Sequence, residues 1–203
     1  QEVRNEITPR TKMIIINTPH NPTGSVLEEA DMIENEKLAL EFGLIVLSDE
    51  VYERIIFDGK EHQSVLKFPA LSSQSVAVFS FGKTFHATGW KIGYTVASEI
   101  LTNEIRKAHQ FITFSVNTPV QLALAEYLKD SYNYLHLSAF YQQKRDFFLD
   151  QIKGSSLKPI PSYGSYFQLL SYDSVSDLKE SEMAEWMTKE KKLAPIPVSA
   201  FYQ

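Results

Sequence analysis

The sequence predicts an α/β fold: a mostly parallel sheet with helices on both faces, followed by the start of a small α+β unit. Three observations predict it. Short apolar runs recur at Lys12 to Asn17, Leu44 to Leu47, Val76 to Phe79 and Ile92 to Val96 without polar alternation, and strands buried on both faces have no solvent side to mark with polar residues. A helix-forming stretch between the first two runs makes a strand–helix–strand crossover, the connection that a parallel pair requires. Beyond Pro159 and Pro161 the segments shorten and mix.

Taken in order, the Ile-rich run Lys12 to Asn17 ends in the turn-forming residues Pro19, Asn21, Pro22 and Gly24, so a strand delivers a loop. Glu28 to Phe42 is helix-forming and closes at Gly43 in the C′ position. Leu44 to Leu47 is the second strand, and a Ser-rich turn precedes the third at Val76 to Phe79. After the fourth, Ser98 caps a helix running to about Phe111. Thr118, Pro119 and Gln121 predict a helix start with a capping box and Pro at N1. The residues that follow, Val120, Leu122, Ala123, Leu124, Ala125 and Leu128, are apolar on nearly every side, which predicts deep burial. A long helix from about Asn133 to Ile152 is expected to end before Gly154. A strand around Tyr166 to Leu170, a helix near Glu182 to Lys189 and a short apolar segment at Leu193 to Ile196 complete the reading. Residues 1–153 are expected to belong to a large domain and residues 154–203 to a smaller one. The chain opens at Gln1 without a Met and stops at Gln203 before further elements, which reads as an interior fragment.

Composition removes several function classes. With 203 residues, 43% of them apolar and 22% charged, the chain can bury a core and is too apolar to be disordered. A net charge of −5 with no basic run argues against nucleic acid as a partner. The absence of cysteine excludes disulfide scaffolds, thiolate metal sites and thiol nucleophiles, and suits a reducing compartment, so a cytoplasmic location is expected. No apolar run approaches the roughly 20 residues needed to cross a bilayer, and no membrane partner is expected. His20, His62, His86, His109 and His136 show no metal-ligand spacing and read as surface or core residues, so no metal site is expected.

The chemistry is concentrated in loops at the carboxyl ends of successive apolar runs: Pro19 to Gly24, Asp49 to Tyr52, and Ser80 to Thr84. In open α/β sheets ligands bind at those ends, so one pocket could collect all three. Asp49 and Glu50 bring carboxylates to the mouth of the sheet, and Ser80 and Lys83 hold a hydroxyl and an amine on one tight turn. Taken singly, an Asp after a strand serves as well for a turn cap, and a lone loop lysine is usually a solvated charge. Their joint occurrence weighs against both readings.

The strings Asn17-Thr-Pro-His-Asn-Pro-Thr-Gly24, Ser48-Asp-Glu-Val-Tyr52, Ser80-Phe-Gly-Lys-Thr84 and Gly89-Trp-Lys-Ile-Gly93 resemble the fold-type I aminotransferases that use pyridoxal 5′-phosphate, over essentially the whole chain. Lys83-Thr-Phe-His-Ala-Thr-Gly-Trp-Lys91 and the Phe57-Asp-Gly stretch resemble the kynurenine, glutamine or methionine branch. The resemblance implies that Lys83 is the catalytic residue, forming a Schiff base with the cofactor aldehyde and moving the proton between Cα and the cofactor. It implies that Asp49 pairs with the pyridine nitrogen, that Tyr52 and Asn21 donate to the ring oxygen, and that Ser80 and Lys91 hold the phosphate. Asn21 would also touch the substrate carboxylate. Lys91 stands where many relatives have an arginine, so a point charge replaces a bidentate fork.

The expected activity is amino-group exchange between an amino acid, of aromatic, methionine or glutamine type, and a 2-oxo acid, by a homodimer. Two alternatives remain open at this stage: a β-lyase using the same cofactor on sulfur-linked amino acids, and a non-catalytic regulator built on the same fold. The family's glycine-rich phosphate loop, its ring-stacking aromatic residue and its carboxylate-binding arginine have no counterpart in these residues. Tyr163, Tyr166 and Phe167 could line a substrate pocket but suit a core strand equally well, and Asn117 and Thr118 sit where family members reach toward the neighbouring subunit.

Overall fold

The computed structural model describes residues 2–201. After a short helix α1 (Glu2–Glu6), the chain forms β1 (Met13–Asn17), α2 (Glu29–Phe42), β2 (Ile45–Asp49), α3 (Pro69–Ser73), β3 (Ser75–Ser80), α4 (Phe81–Thr84) and β4 (Gly93–Ala97). The strands make one sheet in the order β1-β2-β3-β4. β1, β2 and β3 run parallel, and β4 returns antiparallel to β3, so the sheet is mostly parallel, as the sequence predicts.

Helix α2 begins where expected because Asp31 accepts a hydrogen bond from the Glu28 N–H at 2.8 Å, closing a capping box. It ends at Gly43, whose φ of +61° is left-handed and favours a residue without a Cβ. The chain then turns at once into β2. Alternation along the strands sends Ile16, Val46, Ala77 and Phe79 toward Met32 and Ala39 of α2 and Leu71 of α3, and this is the main core. The opposite row, Asn17, Asp49, Val78 and Thr95, is in register across the four strands. That row carries two polar side chains of the sheet mouth.

The remaining helices are α5 (Glu99–Ile112), α6 (Thr118–Tyr127), α7 (Tyr132–Leu135), α8 (Leu137–Gln151) and α9 (Glu180–Trp186), the last running into a π-helical turn at Met187–Lys191. Several expectations need correction. α6 is capped by Asn117, whose side-chain oxygen accepts from the Val120 N–H at 3.2 Å, so Thr118 is the first helical residue and not the cap. α6 is not deeply buried: Leu124 is its buried residue, while Leu122 is 69% exposed. Only one of its faces meets other described residues. The expected single helix from Asn133 divides into α7 and α8 at His136, whose φ and ψ of −81° and −8° leave the α-helical path.

In the last third, β5 (Lys158–Pro159) and β6 (Leu170–Ser171) form a separate two-stranded ribbon. The strand expected from Tyr166 shrinks to β6, because its pairing partner β5 reaches only Leu170 and Ser171, and Ser165 just before it takes a left-handed φ of +62°. Residues 162–167 instead pack onto the site loops. Tyr163 N–H donates to Gly24 O at 2.8 Å, Ser165 N–H donates to Ile55 O at 2.9 Å, and Phe57 N–H donates to Tyr163 O at 2.8 Å. Gly164 is obligatory there, since a Cβ on it would lie 2.7 Å from Pro19 Cβ and 2.8 Å from Ile55 O. No helix among the described residues is long and apolar enough to cross a membrane.

Candidate active site

The mouth of the parallel strands is tied together by Asn17, the last residue of β1. Its side-chain NH2 donates to Asp49 O at 2.9 Å, and its side-chain oxygen accepts from the Asn21 N–H at 2.8 Å. Thr18 N–H also donates to Asp49 O, at 3.1 Å. One asparagine thus fixes the backbone of two predicted site residues, a role the sequence reading missed because Asn17 looks like an ordinary strand end. The loop it starts contains cis peptide bonds at Thr18–Pro19 and Asn21–Pro22.

Asp49 closes β2 and accepts the Val51 N–H at 3.2 Å, so the turn-cap reading is correct as far as it goes. The cap occupies one oxygen and leaves the carboxylate half-buried beside Tyr52. Tyr52 itself is buried. Burial, then a hydrogen bond with Tyr166 and the Asp49 charge, push its phenol far above the ordinary tyrosine range, while the Asn21 side chain opposes them. Tyr52 is therefore a neutral donor at physiological pH.

Lys83 stands on α4, one turn after β3 ends, and is not a solvated charge. Its Nζ donates to the Tyr166 hydroxyl at 3.1 Å and lies over the Tyr52 and Tyr166 rings, 5.5 and 5.8 Å from their centroids. The Tyr52 hydroxyl donates to Tyr166 as well, at 3.3 Å. The structure thus gathers Lys83, Tyr52, Asp49 and Asn21 at one place and adds Tyr166. Tyr141 and Phe167 extend the aromatic wall, with ring centroids 5.9 and 4.8 Å from that of Tyr166.

Ser80 ends β3 on the same side of the sheet as Asp49, and its carbonyl accepts the Thr84 hydroxyl at 3.2 Å. Lys91 lies on an exposed bend with a φ of +52°, and it has no hydrogen bond or ion pair with the other predicted residues among those described. Asn21 and Phe167 also border a pocket of about 450 Å³ lined by Leu170, Tyr172, Ala184 and Met187.

Glu50, offered by the sequence only as a second carboxylate, turns inward. It is fully buried and accepts from Ser48 Oγ at 2.8 Å, Val65 N–H at 3.1 Å and His62 Nε2 at 2.7 Å. Burial raises its carboxyl pKa, but the hydrogen bond and electrostatic attraction of His62, with smaller help from Ser64 and the Val65 N–H, outweigh that and hold it below the usual value. Strand pleating explains the division: Glu50 follows the Ser48 face into the core while Asp49 faces the mouth. Among the described residues His62 is the histidine paired with a carboxylate, and its distance in sequence from Glu50 hid the pair.

The sequence profile of the family described as aminotransferase class I and II matches residues 1–203. The chain belongs to that family. Within it, the chain is 46% identical over 202 residues to methionine aminotransferase of Escherichia coli strain K12, an alignment covering 99% of this chain and 52% of that protein. It is 35% identical over 219 residues to human kynurenine–oxoglutarate transaminase 3, covering 99% and 48%. Among solved structures, an Escherichia coli protein described as having a methionine aminotransferase function matches with a TM-score of 0.96 at 46% identity, over 99% of this chain and 53% of that one. N-Succinyldiaminopimelate aminotransferase from Mycobacterium tuberculosis matches with a TM-score of 0.92 at 30% identity, over 99% and 53%. The chain spans about half the length of the curated relatives it matches. Its sheet and flanking helices are those of its fold-type I aminotransferase neighbours, and the family implies dependence on pyridoxal phosphate.

Proposed function

We propose that the complete protein is a pyridoxal-phosphate-dependent aminotransferase that exchanges an amino group between an amino acid and a 2-oxo acid. The observation that carries this is an amine, a neutral phenol, a carboxylate and an amide, from Lys83, Tyr52, Asp49 and Asn21, converging at the carboxyl ends of β1 to β3 and the start of α4. That donor set fits the cofactor. When bound, pyridoxal phosphate supplies an aldehyde that condenses with amines and a ring that accepts the electrons left when Cα loses its proton.

The chain's own residues would do the rest. Lys83 would hold the cofactor covalently and, once displaced by substrate, carry the proton from Cα. Asp49 would keep a proton on the pyridine nitrogen. Tyr52, held neutral by its surroundings, would donate to the ring oxygen together with Asn21, and Asn21 would also meet the substrate carboxylate. Ser80 would contact the phosphate, with Lys91 as an added point charge that must come inward from its bend.

The names of the relatives support methionine or aromatic amino acids of the kynurenine type as donors and a 2-oxo acid such as oxoglutarate as acceptor. Being aminotransferases by name, they also favour transfer over the β-lyase and regulator alternatives. We assign residues 1–153 to the large cofactor-binding domain and residues 154–203 to the small one, in a cytoplasmic homodimer whose second subunit would cover α6 and the exposed residues Phe111 and Phe114.

Borohydride reduction of the loaded complete protein tests the reading. The cofactor should be fixed to Lys83, and Lys83→Ala should lose both that label and transamination while remaining folded. A label on another lysine overturns the assignment. Formation of a 2-oxo acid without ammonia or thiol separates transfer from elimination.

A further inference from the structure

Tyr166 lies against Lys83, 83 residues away in sequence, and the proposed reaction as set out above gives it no part. The geometry points to Tyr166 as a substrate-binding residue whose hydroxyl donates a hydrogen bond to the carboxylate of the amino or oxo acid. The inference rests on the aminotransferase reading and deepens it.

The Tyr166 hydroxyl has a donor to spare. A tyrosine hydroxyl has two acceptor lone pairs and one proton. Lys83 Nζ and the Tyr52 hydroxyl donate to the oxygen at 3.1 and 3.3 Å, which occupies both lone pairs. The remaining proton has no acceptor among the described residues, and Tyr166 is 39% exposed, so the residue is open to an incoming acceptor. An aromatic ring serving only as packing has no need of such an arrangement.

The backbone before the ring holds it in place. Ser165 is buried with a φ of +62°, a conformation that costs a non-glycine residue energy and persists only when its surroundings enforce it. The surroundings are explicit: Ser165 N–H donates to Ile55 O, Gly164 has no room for a side chain, and Tyr163 N–H donates to Gly24 O. The strained residue turns the Tyr166 ring back over Tyr52, edge to face at 5.1 Å between centroids. The hydroxyl is thereby fixed relative to two loops of the site.

The hydroxyl also lies within reach of a substrate carboxylate. A substrate amine that takes the place of Lys83 would occupy the region now held by Nζ. Its carboxyl carbon is two bonds from that nitrogen, about 2.5 Å away by standard bond lengths and angles, so the carboxylate oxygens come within reach of a hydroxyl that now lies 3.1 Å from Nζ. An O–H donor to a carboxylate is a charge-assisted hydrogen bond, and its loss weakens binding roughly tenfold or more.

The test uses the complete protein loaded with pyridoxal phosphate, and Tyr166→Phe, which keeps the ring and removes the hydroxyl. Calorimetric titration with 3-phenylpropionate, an amino acid analogue without the amino group, and with its neutral counterpart 3-phenylpropionamide reads the contact without catalysis. The variant should bind the carboxylate roughly tenfold or more weakly and the amide unchanged, and should raise the KM for the amino donor with little change in kcat. Borohydride should still fix the cofactor to Lys83. Unchanged carboxylate binding, an equal loss for both analogues, or no measurable carboxylate binding by the parent protein overturns the inference. A parent protein that fixes no cofactor at Lys83 instead overturns the aminotransferase reading on which it rests.

Discussion

Replacing Glu50 by Gln swaps a charged acceptor for a neutral amide of nearly the same shape, at a position with no exposed surface. The amide oxygen can still accept from Ser48 Oγ and the Val65 N–H. Its NH2 group, however, must face His62 Nε2, which then has to be an acceptor, so the imidazole hydrogen moves to Nδ1. That atom is buried and has no partner. The substitution therefore replaces a charge-assisted bond by a neutral one beside an Nδ1 that already lacks a partner, a loss of about 1.5–3 kcal/mol. Glu50→Ala strands three donors around a void and should cost about 4 kcal/mol. Urea unfolding of the cofactor-free complete protein at pH 7 measures both. The pH dependence adds a second readout. The folded Glu50 pKa lies below the usual 4.5, so the carboxylate's contribution is fully present above that value and is lost as the pH falls through the folded pKa. The gap between parent and Glu50→Gln should narrow in acid over that window. A Gln variant within about 0.5 kcal/mol of the parent at pH 7, or a gap that does not narrow, refutes the reasoning.

Gly164→Ala must displace Pro19 or the Ile55 carbonyl, which lie 2.7 and 2.8 Å from the added Cβ; a loss of about 1–3 kcal/mol is expected from overpacking, and an unchanged melting temperature contradicts it. Arg145 holds Asp58 with two nitrogens at 2.6 and 2.7 Å, donates to Ser162 O at 2.9 Å and covers the Phe57 ring. Arg145→Lys keeps the charge but loses the fork, so urea unfolding should register a loss of about 1 kcal/mol, and equal stability would dismiss the fork. A protein limited to these 203 residues leaves Phe111, Ile112 and Phe114 more than 80% exposed, so it should aggregate on size exclusion and show no transamination; a monodisperse, active monomer refutes that.

Much of the sheet was legible because its signals are local. The Ile-rich β1 and the run before Asp49 are short, continuous and followed by turn residues, and the positions of Asn21, Asp49, Ser80 and Lys83 at strand ends follow from that placement alone. Helix α6 shows the limit. An apolar circumference says that a helix wants cover without saying which residues supply it, and Leu122 remains exposed among those described. Tyr166 shows another limit. Its place beside Lys83 depends on a left-handed serine and on a glycine packed against Pro19, and neither leaves a periodic trace. Glu50 and Asp49 are adjacent and chemically alike, so only the pleat, with His62 waiting on one side, assigns one to stability and the other to the mouth.

The fit of Gly24 against Ser162, where an added Cβ would lie 2.0 Å from the hydroxyl oxygen, has a mechanical consequence. Two stretches far apart in sequence are riveted there with no slack, and the Ile56–Gly164 bridge doubles the joint. Tyr166, four residues beyond Ser162, is therefore positioned by the loops at the sheet mouth and not by the two-stranded ribbon that follows it. The backbone of Tyr166 is thereby set against the loops that carry Gly24 and Ile55, so its ring enters the site from one direction whichever way the Lys83 side chain turns.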